Sequence, residues 1–485
     1  MRNDTAPLQE QCVSDGQNFP STMTSYYLRP PLDPESEPLP SYEAATTRDP
    51  LPLIANYLRR EDVFVASLVS QSWRAALMPA LWGAPHKYWG MGERSELTSF
   101  QLFLRSVSEL QSPIYHTHTL DLESVRPTIY TTLPPSWLSM LLTKLPRLRE
   151  LVMKDFPFFD HQALSATNSL FPHHLHKLVA INSHNCTPSG LSGFLSKLPQ
   201  LRTLDLSGSC IFTIGALPNL TSVSLRDLQL TDTAISPLLK SLGTNLRSLD
   251  VRRNLLTDGT VSILLDYNFA PPSYLSPAVA MMEEGLTHLR IAENSISVLG
   301  AVALIKSTRL VTLDLDLPRG GDPGQLVPAL SMYSHSTLRT LRITHKVVMA
   351  RKGLRRKMLP ALRTLILTNT PEWGAAAEVD GLLEFISTTR EQEGDILEVL
   401  ELEMGMGQEA EVGGSLEGDF TFFEGEREAS SAEVGGKETL DEVKKIRDAK
   451  SGWRGRIRVL RDLAGREVKE TGVEGERWGV VRERV

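Results

Sequence analysis

Cysteine is nearly missing from this sequence. Its 485 residues hold three, Cys12, Cys186 and Cys210. That is too few and too scattered for a disulfide framework or a zinc site, and it fits a reducing compartment. No apolar run approaches the roughly 18 residues that a membrane-spanning helix needs. The opening "MRNDTAPLQEQCVSDGQNFP" lacks the apolar centre of a secretory signal. These absences predict a cytoplasmic and/or nuclear protein without a membrane partner. Charge of one sign is not in large excess either. The 51 Lys and Arg against 58 Asp and Glu leave a formal net charge of -7, which gives no reason to expect nucleic acid. There is no Gly-rich phosphate loop, nucleophile elbow or Ser/His/Asp arrangement. No catalytic residue, metal or cofactor is therefore expected.

Leucine in a fixed register is what the sequence does have. A six-residue unit, Leu, two residues, an apolar residue, one residue, apolar, recurs as "LRELVM", "LHKLVA", "LRTLDL", "LTSVSL", "LRSLDV", "LTHLRI", "LVTLDL", "LRTLRI", "LRTLIL" and "LEVLEL". Its lead residues run from Leu148 through Leu175, Leu201, Leu220, Leu246, Leu286, Leu310, Leu338 and Leu362 to Leu397, after a degenerate copy at Thr117. Leu310, Leu338 and Leu362 stand 28 and 24 residues apart, inside the roughly 20–29-residue window of leucine-rich repeats. A short strand turns its alternate leucines inward and the residues between them outward. One coil cannot bury its apolar side alone, so coils stack. Between the units, "LSGFLSKLPQ", "AISPLLKSLGT" and "AVALIKSTR" carry apolar residues at helical steps and predict convex-side helices. "LRSLDVRRNLLTDGTVSILL" and "LTHLRIAENSISVLGAVALI" resemble the ribonuclease-inhibitor subclass of leucine-rich repeats. The predicted fold is an α/β solenoid, a leucine-rich repeat horseshoe over residues 96–404. Longer gaps after Leu246 and Leu362 predict insertions. Residues 1–48 are expected to be a disordered leader. Residues 405–485 are read as an acidic Gly-rich segment and then a basic tail, in which "WRGRIRVLRDL" alternates like a last strand.

The stretch "DPLPLIANYLRREDVFVASLVSQSWRAALMPALW", within residues 49–95, has apolar residues at helical spacing over 51–58, 62–74 and 76–82. A three-helix unit of this size cannot bury a large core, so its surplus apolar side chains need a partner. Leu-Pro at Leu51 and Pro52, the Asp62–Val63 pair, the "SLVSQSWR" segment and the closing "PALW" resemble an F-box. The resemblance implies docking onto a Skp-type adaptor, and through it onto a cullin–RING (SCF-type) ubiquitin ligase, with the repeats holding a protein substrate. It assigns Leu51, Pro52, Ile54, Leu58, Val63, Leu68, Val69, Trp73, Leu81 and Trp82 to the adaptor surface. The other reading of these helices is a cap on the solenoid. The other reading of the whole chain is a leucine-rich scaffold or regulator with no ubiquitin role.

Four weaker signals remain. Arg290, Arg339, Arg342 and Arg363 fall at outward positions of late repeats and are candidate substrate contacts, with Arg339, Arg342 and Arg363 forming one basic stripe. "PPSY", with Pro271, Pro272 and Tyr274, matches a WW-domain ligand, though a Pro-stiffened loop would read the same. "PHHLHK" reads as a solvated turn and not a metal site, and "KVVMARKGLRRKM" as a solvated helix face.

Overall fold

The computed structural model describes residues 51–404, apart from 56, 91–94, 110–112, 126–132, 168–172, 210–216, 270–284, 307–309, 317–322, 350–352, 371–381, 383–384 and 386–396, together with the backbone of 456–461. The "PPSY" segment and the leader lie outside the described residues, as does the tail apart from 456–461.

Twelve strands form one sheet in chain order, every neighbour parallel. They are β1 Thr119–Asp121, β2 Glu150–Lys154, β3 Lys177–Ile181, β4 Thr203–Asp205, β5 Ser222–Ser224, β6 Ser248–Asp250, β7 His288–Arg290, β8 Thr312–Leu315, β9 Thr340–Thr344, β10 Thr364–Thr370, β11 Val399–Met404 and β12 Arg456–Arg461. Equivalent leucines align in register: Leu151 with Leu178, Leu178 with Leu204, Leu341 with Leu365, Leu365 with Leu400. All of these are buried, and they belong to one continuous core that runs from Leu97 to Leu402. This is the α/β solenoid of a leucine-rich repeat horseshoe. Helices Pro188–Leu195, Asp232–Leu242 and Val298–Lys306 cover its outer side where the apolar spacing placed them.

Two devices lock successive coils. Asn254 is buried and bonds both ways: its Oδ1 accepts from Leu228 N (3.1 Å) and Leu230 N (2.9 Å), and its Nδ2 donates to Leu225 O and Val251 O. Asn294 does the same one coil on, donating to Val251 O and Ile291 O. On the outer side, Asp232 at the head of one helix accepts from the N and Oγ1 of Thr257, which caps the next helix, and from Thr260 Oγ1 at 2.5 Å. Asp258 repeats the clamp on Ser297. At or just past the strand ends, Asp155, Asn182, Asp227, Arg253, Glu293 and Asn369 share one repeat position and a positive φ, so each of these coils turns through the left-handed region at that point.

The N-terminal unit has helices α1 Leu51–Ala55, α2 Arg60–Ala66 and α3 Gln71–Gly83. The second helix stops at Ala66 instead of reaching Arg74, because Ser70 is extended and its Oγ accepts from Trp73 N (3.2 Å), opening a new helix. The end of α3 joins the solenoid. Gly83 O accepts from His118 N (3.0 Å), and the Trp82 ring lies 6.1 Å from that of Phe103, on the first solenoid helix, Glu96–Glu109.

Candidate functional site

The three-helix unit closes on a core of three buried residues, Ala55, Val63 and Leu77, with Leu58, Ala66, Ala80, Leu81 and Tyr88 packed around them. Much of its apolar mass stays outside. Tyr57 is 90 % exposed, Leu68 68 % and Val69 64 %, with Ile54, Phe64, Val65 and Trp73 also exposed. A soluble surface rarely leaves so many large apolar side chains together without a partner.

The ten residues assigned to an adaptor surface therefore divide. Ile54, Leu68, Val69 and Trp73 are exposed. Val63 is corrected: it is 2 % exposed and forms the unit's own core, and Leu58 and Leu81 pack against that core. Trp82 packs on the solenoid core. Leu51 is half-buried, and the side chain of Pro52 lies outside the described residues. Sequence reasoning missed Tyr57, Phe64 and Val65. In α2 the buried position is Val63, which puts its neighbours Phe64 and Val65 outward; a helical wheel centred on Val63 would have found them.

The concave floor of the later coils carries the second cluster. Arg342 (β9) reaches back to Asp314 (β8), Nη1 to Oδ1 2.9 Å, and forward over β10 to Glu403 (β11), Nη2 to Oε2 2.6 Å. Arg252 pairs with Asp250 (2.8 Å) and with Asp314 (3.2 Å), two strands on. Arg226 and Arg290 approach Asp250 at 3.8 and 3.7 Å. Thr368 Oγ1 donates to Asp316 Oδ1 at 2.9 Å. The result is a continuous chain of alternating charge from β5 to β11. Burial pushes the Asp314 carboxyl up, while Arg342 and Arg252 pull it down. Burial also opposes the charge on Arg342, but its bonds to Glu403 and the charge of Asp314 outweigh that and hold it above the ordinary arginine range.

That chain corrects the predicted basic stripe. Arg342 is 15 % exposed and doubly paired, so it presents no free charge. Arg339 and Arg363 precede β9 and β10 by one residue and stand on the sheet's N-terminal edge, not on the concave floor; Arg363 faces Glu398 at 3.4 Å. Arg290 lies in β7, half-exposed beside Asp250.

Two further readings change. In "PHHLHK", His173 is buried with Nε2 3.1 Å from Leu145 O, and His176 is half-buried. In the basic run, Val347, Val348 and Leu354 are core, and Arg356 is buried with Nη1 donating to Leu359 O (2.7 Å). Among the described residues no cluster of His, Cys, Asp or Glu is arranged to hold a metal, and no helix is long and apolar enough to cross a membrane.

Fold and surface together define a leucine-rich repeat solenoid that carries an apolar-faced helical unit at its head. No family model matches the sequence, and no curated protein matches it. Among solved structures the chain is similar to one in the crystal structure of the Rad7 and Elc1 complex in yeast, at 18 % identity and a TM-score of 0.44, covering 73 % of this chain and 88 % of that one. It is also similar to a chain of the octameric complex of Latrophilin 3, Unc5D and FLRT2, at 15 % identity and a TM-score of 0.27, covering 61 % of this chain and 86 % of that one. Both likenesses are too distant to carry a functional argument.

Proposed function

We propose that this chain is the substrate-recognition subunit of a cullin–RING ubiquitin ligase. The three-helix unit docks on a Skp-type adaptor and the repeats hold a protein substrate. The observation that carries the reading is the exposed apolar face of Ile54, Tyr57, Phe64, Val65, Leu68, Val69 and Trp73 on a unit with a three-residue core of its own. The chain supplies no catalytic group in this reading. It raises the effective concentration of substrate at a ubiquitin-charged enzyme.

The test is co-purification of the full chain with a Skp-type adaptor. Phe64→Ala and Leu68→Ala should each weaken the complex by about 2 kcal/mol, about 30-fold, if they sit in the centre of the contact. Leu299→Ala, at an exposed leucine on the outer side of the solenoid, should leave it unchanged. Failure of the intact chain to retain adaptor at micromolar concentration refutes the reading and leaves a repeat scaffold without a ubiquitin role.

A further inference from the structure

Among the described residues the charge chain of β5–β11 is not continued by an ion pair into the first four coils, and there the N-terminal edge of the sheet is basic. Arg149, His176 and Arg202 immediately precede β2, β3 and β4 and are stacked by the backbone ladder. Arg149 N donates to His118 O, His176 N to Arg149 O and Arg202 N to His176 O, each at 2.8 Å. Arg149 and Arg202 are exposed and His176 is half-buried between them. The ion pairs nearby are Lys154–Glu123 and Lys177–Glu150, and neither engages the ridge. Among the described residues Arg149 and Arg202 pair with no carboxylate, nor does Arg339 at the same position far along the edge, whereas Arg363 faces Glu398. Burial, then the neighbouring Arg202, Arg149 and His174, holds His176 below its ordinary pKa, as expected of a locally positive edge. Behind the ridge, Glu150 and Lys177 neutralise each other at 3.6 Å, and the concave floor beyond them offers the half-buried Val152 and Val179.

Adjacent strands lie about 4.8 Å apart, so Arg149 and Arg202 stand roughly 10 Å apart across His176. A polyproline-type extended peptide rises about 3.1 Å per residue and returns to the same face every third residue, after about 9 Å. Carboxylates at i and i+3 of such a peptide match the two arginines, and the intervening side chains fall toward the valines. We propose that Arg149, His176 and Arg202 bind an acidic extended segment of the protein substrate, with carboxylates three residues apart and apolar side chains resting on Val152 and Val179. This rests on the reading of the repeats as a substrate receptor. A nucleic-acid strand fits worse, because its phosphates follow one another without a gap beside Asp121 and Asp205 in the adjacent rows, while the peptide separates its carboxylates by two uncharged residues.

The probe is a fluorescein-labelled dodecapeptide with Asp at every third position and Val, Ser and Pro between, titrated by anisotropy against the full chain. An Asn-for-Asp version should bind at least ten-fold more weakly. Arg149→Glu with Arg202→Glu should cost at least ten-fold, and the milder Arg149→Gln with Arg202→Gln should weaken binding should the reversal disturb folding. Arg339→Glu, the same charge change at the far end of the edge, should have no effect. Equal binding by all variants, equal binding of the Asp and Asn peptides, no binding of either, or stronger displacement by a twelve-residue oligothymidine would each overturn the assignment. Adaptor retention measured on the same preparations separates this result from the ligase reading: adaptor lost with peptide still bound sinks the ligase role alone.

Discussion

Arg342→Ala tests whether the concave charge chain holds the late coils together. The substitution removes a side chain that is 15 % exposed and leaves two carboxylates behind. Breaking a buried pair by deleting one partner costs about 3–5 kcal/mol, most of it from the stranded charge. Here Asp314, 3 % exposed, keeps Arg252 at 3.2 Å, and Glu403, 29 % exposed, can take up water. The lower end, about 3 kcal/mol, is therefore expected. Coils of a solenoid contact only their neighbours, so the loss should stay local. Native-state hydrogen exchange reads that directly. Amides of β9–β11 should exchange about 150-fold faster, from about 1.4 kcal/mol per ten-fold, while those of β2–β4 keep their rates. An Asp314→Ala partner completes a double-mutant cycle, with a coupling of at least about 1 kcal/mol expected for groups in one network. Unchanged protection in β9–β11, or a uniform loss along the whole sheet, would refute the argument.

Other consequences can be checked separately. A Cβ on Gly300 would collide with Asp258 Oδ1 and displace it from Ser297, so Gly300→Ala should cost about 1–3 kcal/mol, read by urea denaturation, despite the gain in helix propensity. Asn254→Ala strands the buried N–H groups of Leu228 and Leu230 and should cost about 3 kcal/mol, seen as faster exchange at those two amides. Burial alone would raise the Asp232 carboxyl, but the bonds from Thr257 and Thr260 prevail and lower it. A lowered folded pKa gives stability that is present above the unfolded value, near 3.9, and lost as pH falls through the folded one. The Thr257 and Thr260 amides should therefore lose protection below about pH 4, and Asp232→Asn should remove that pH dependence.

The sheet was legible because its signal is periodic: ten lead leucines from Leu148 to Leu397 repeat one pattern, and each is buried. The stretch "LRSLDVRRNLLTDGTVSILL" was legible as one such repeat, and the structure adds that its Asn254 bonds back to the preceding coil and that Asp232 reaches across to Thr257. The apolar face was half legible. Helical spacing says that Val63, Phe64, Val65, Leu68 and Val69 cannot all be inside, but it does not say which are, because α2 packs through the single buried Val63. The basic stripe failed for a different reason. Alternation along a strand gives the direction of a side chain and not its partner across the sheet. Glu403, which neutralises Arg342, lies 61 residues away in sequence.

That neutralisation bears on where a partner can sit. A ligand on the floor of β6–β11 would have to compete with Asp314 and Glu403 for Arg342, and with Asp250 and Asp314 for Arg252, giving up contacts already made at 2.6–3.2 Å. It would also inherit the desolvation of any charge it displaced. The edge of the early coils imposes no such competition, since Arg149 and Arg202 are exposed and, among the described residues, without a carboxylate partner. The apolar helical face adjoins the same end of the solenoid, joined to it through Gly83 and His118 at 3.0 Å. The apolar face and the Arg149–Arg202 ridge thus share the head of the molecule. The floor of the late coils, closed by its own charges, is better suited to hold that head rigid than to read a ligand.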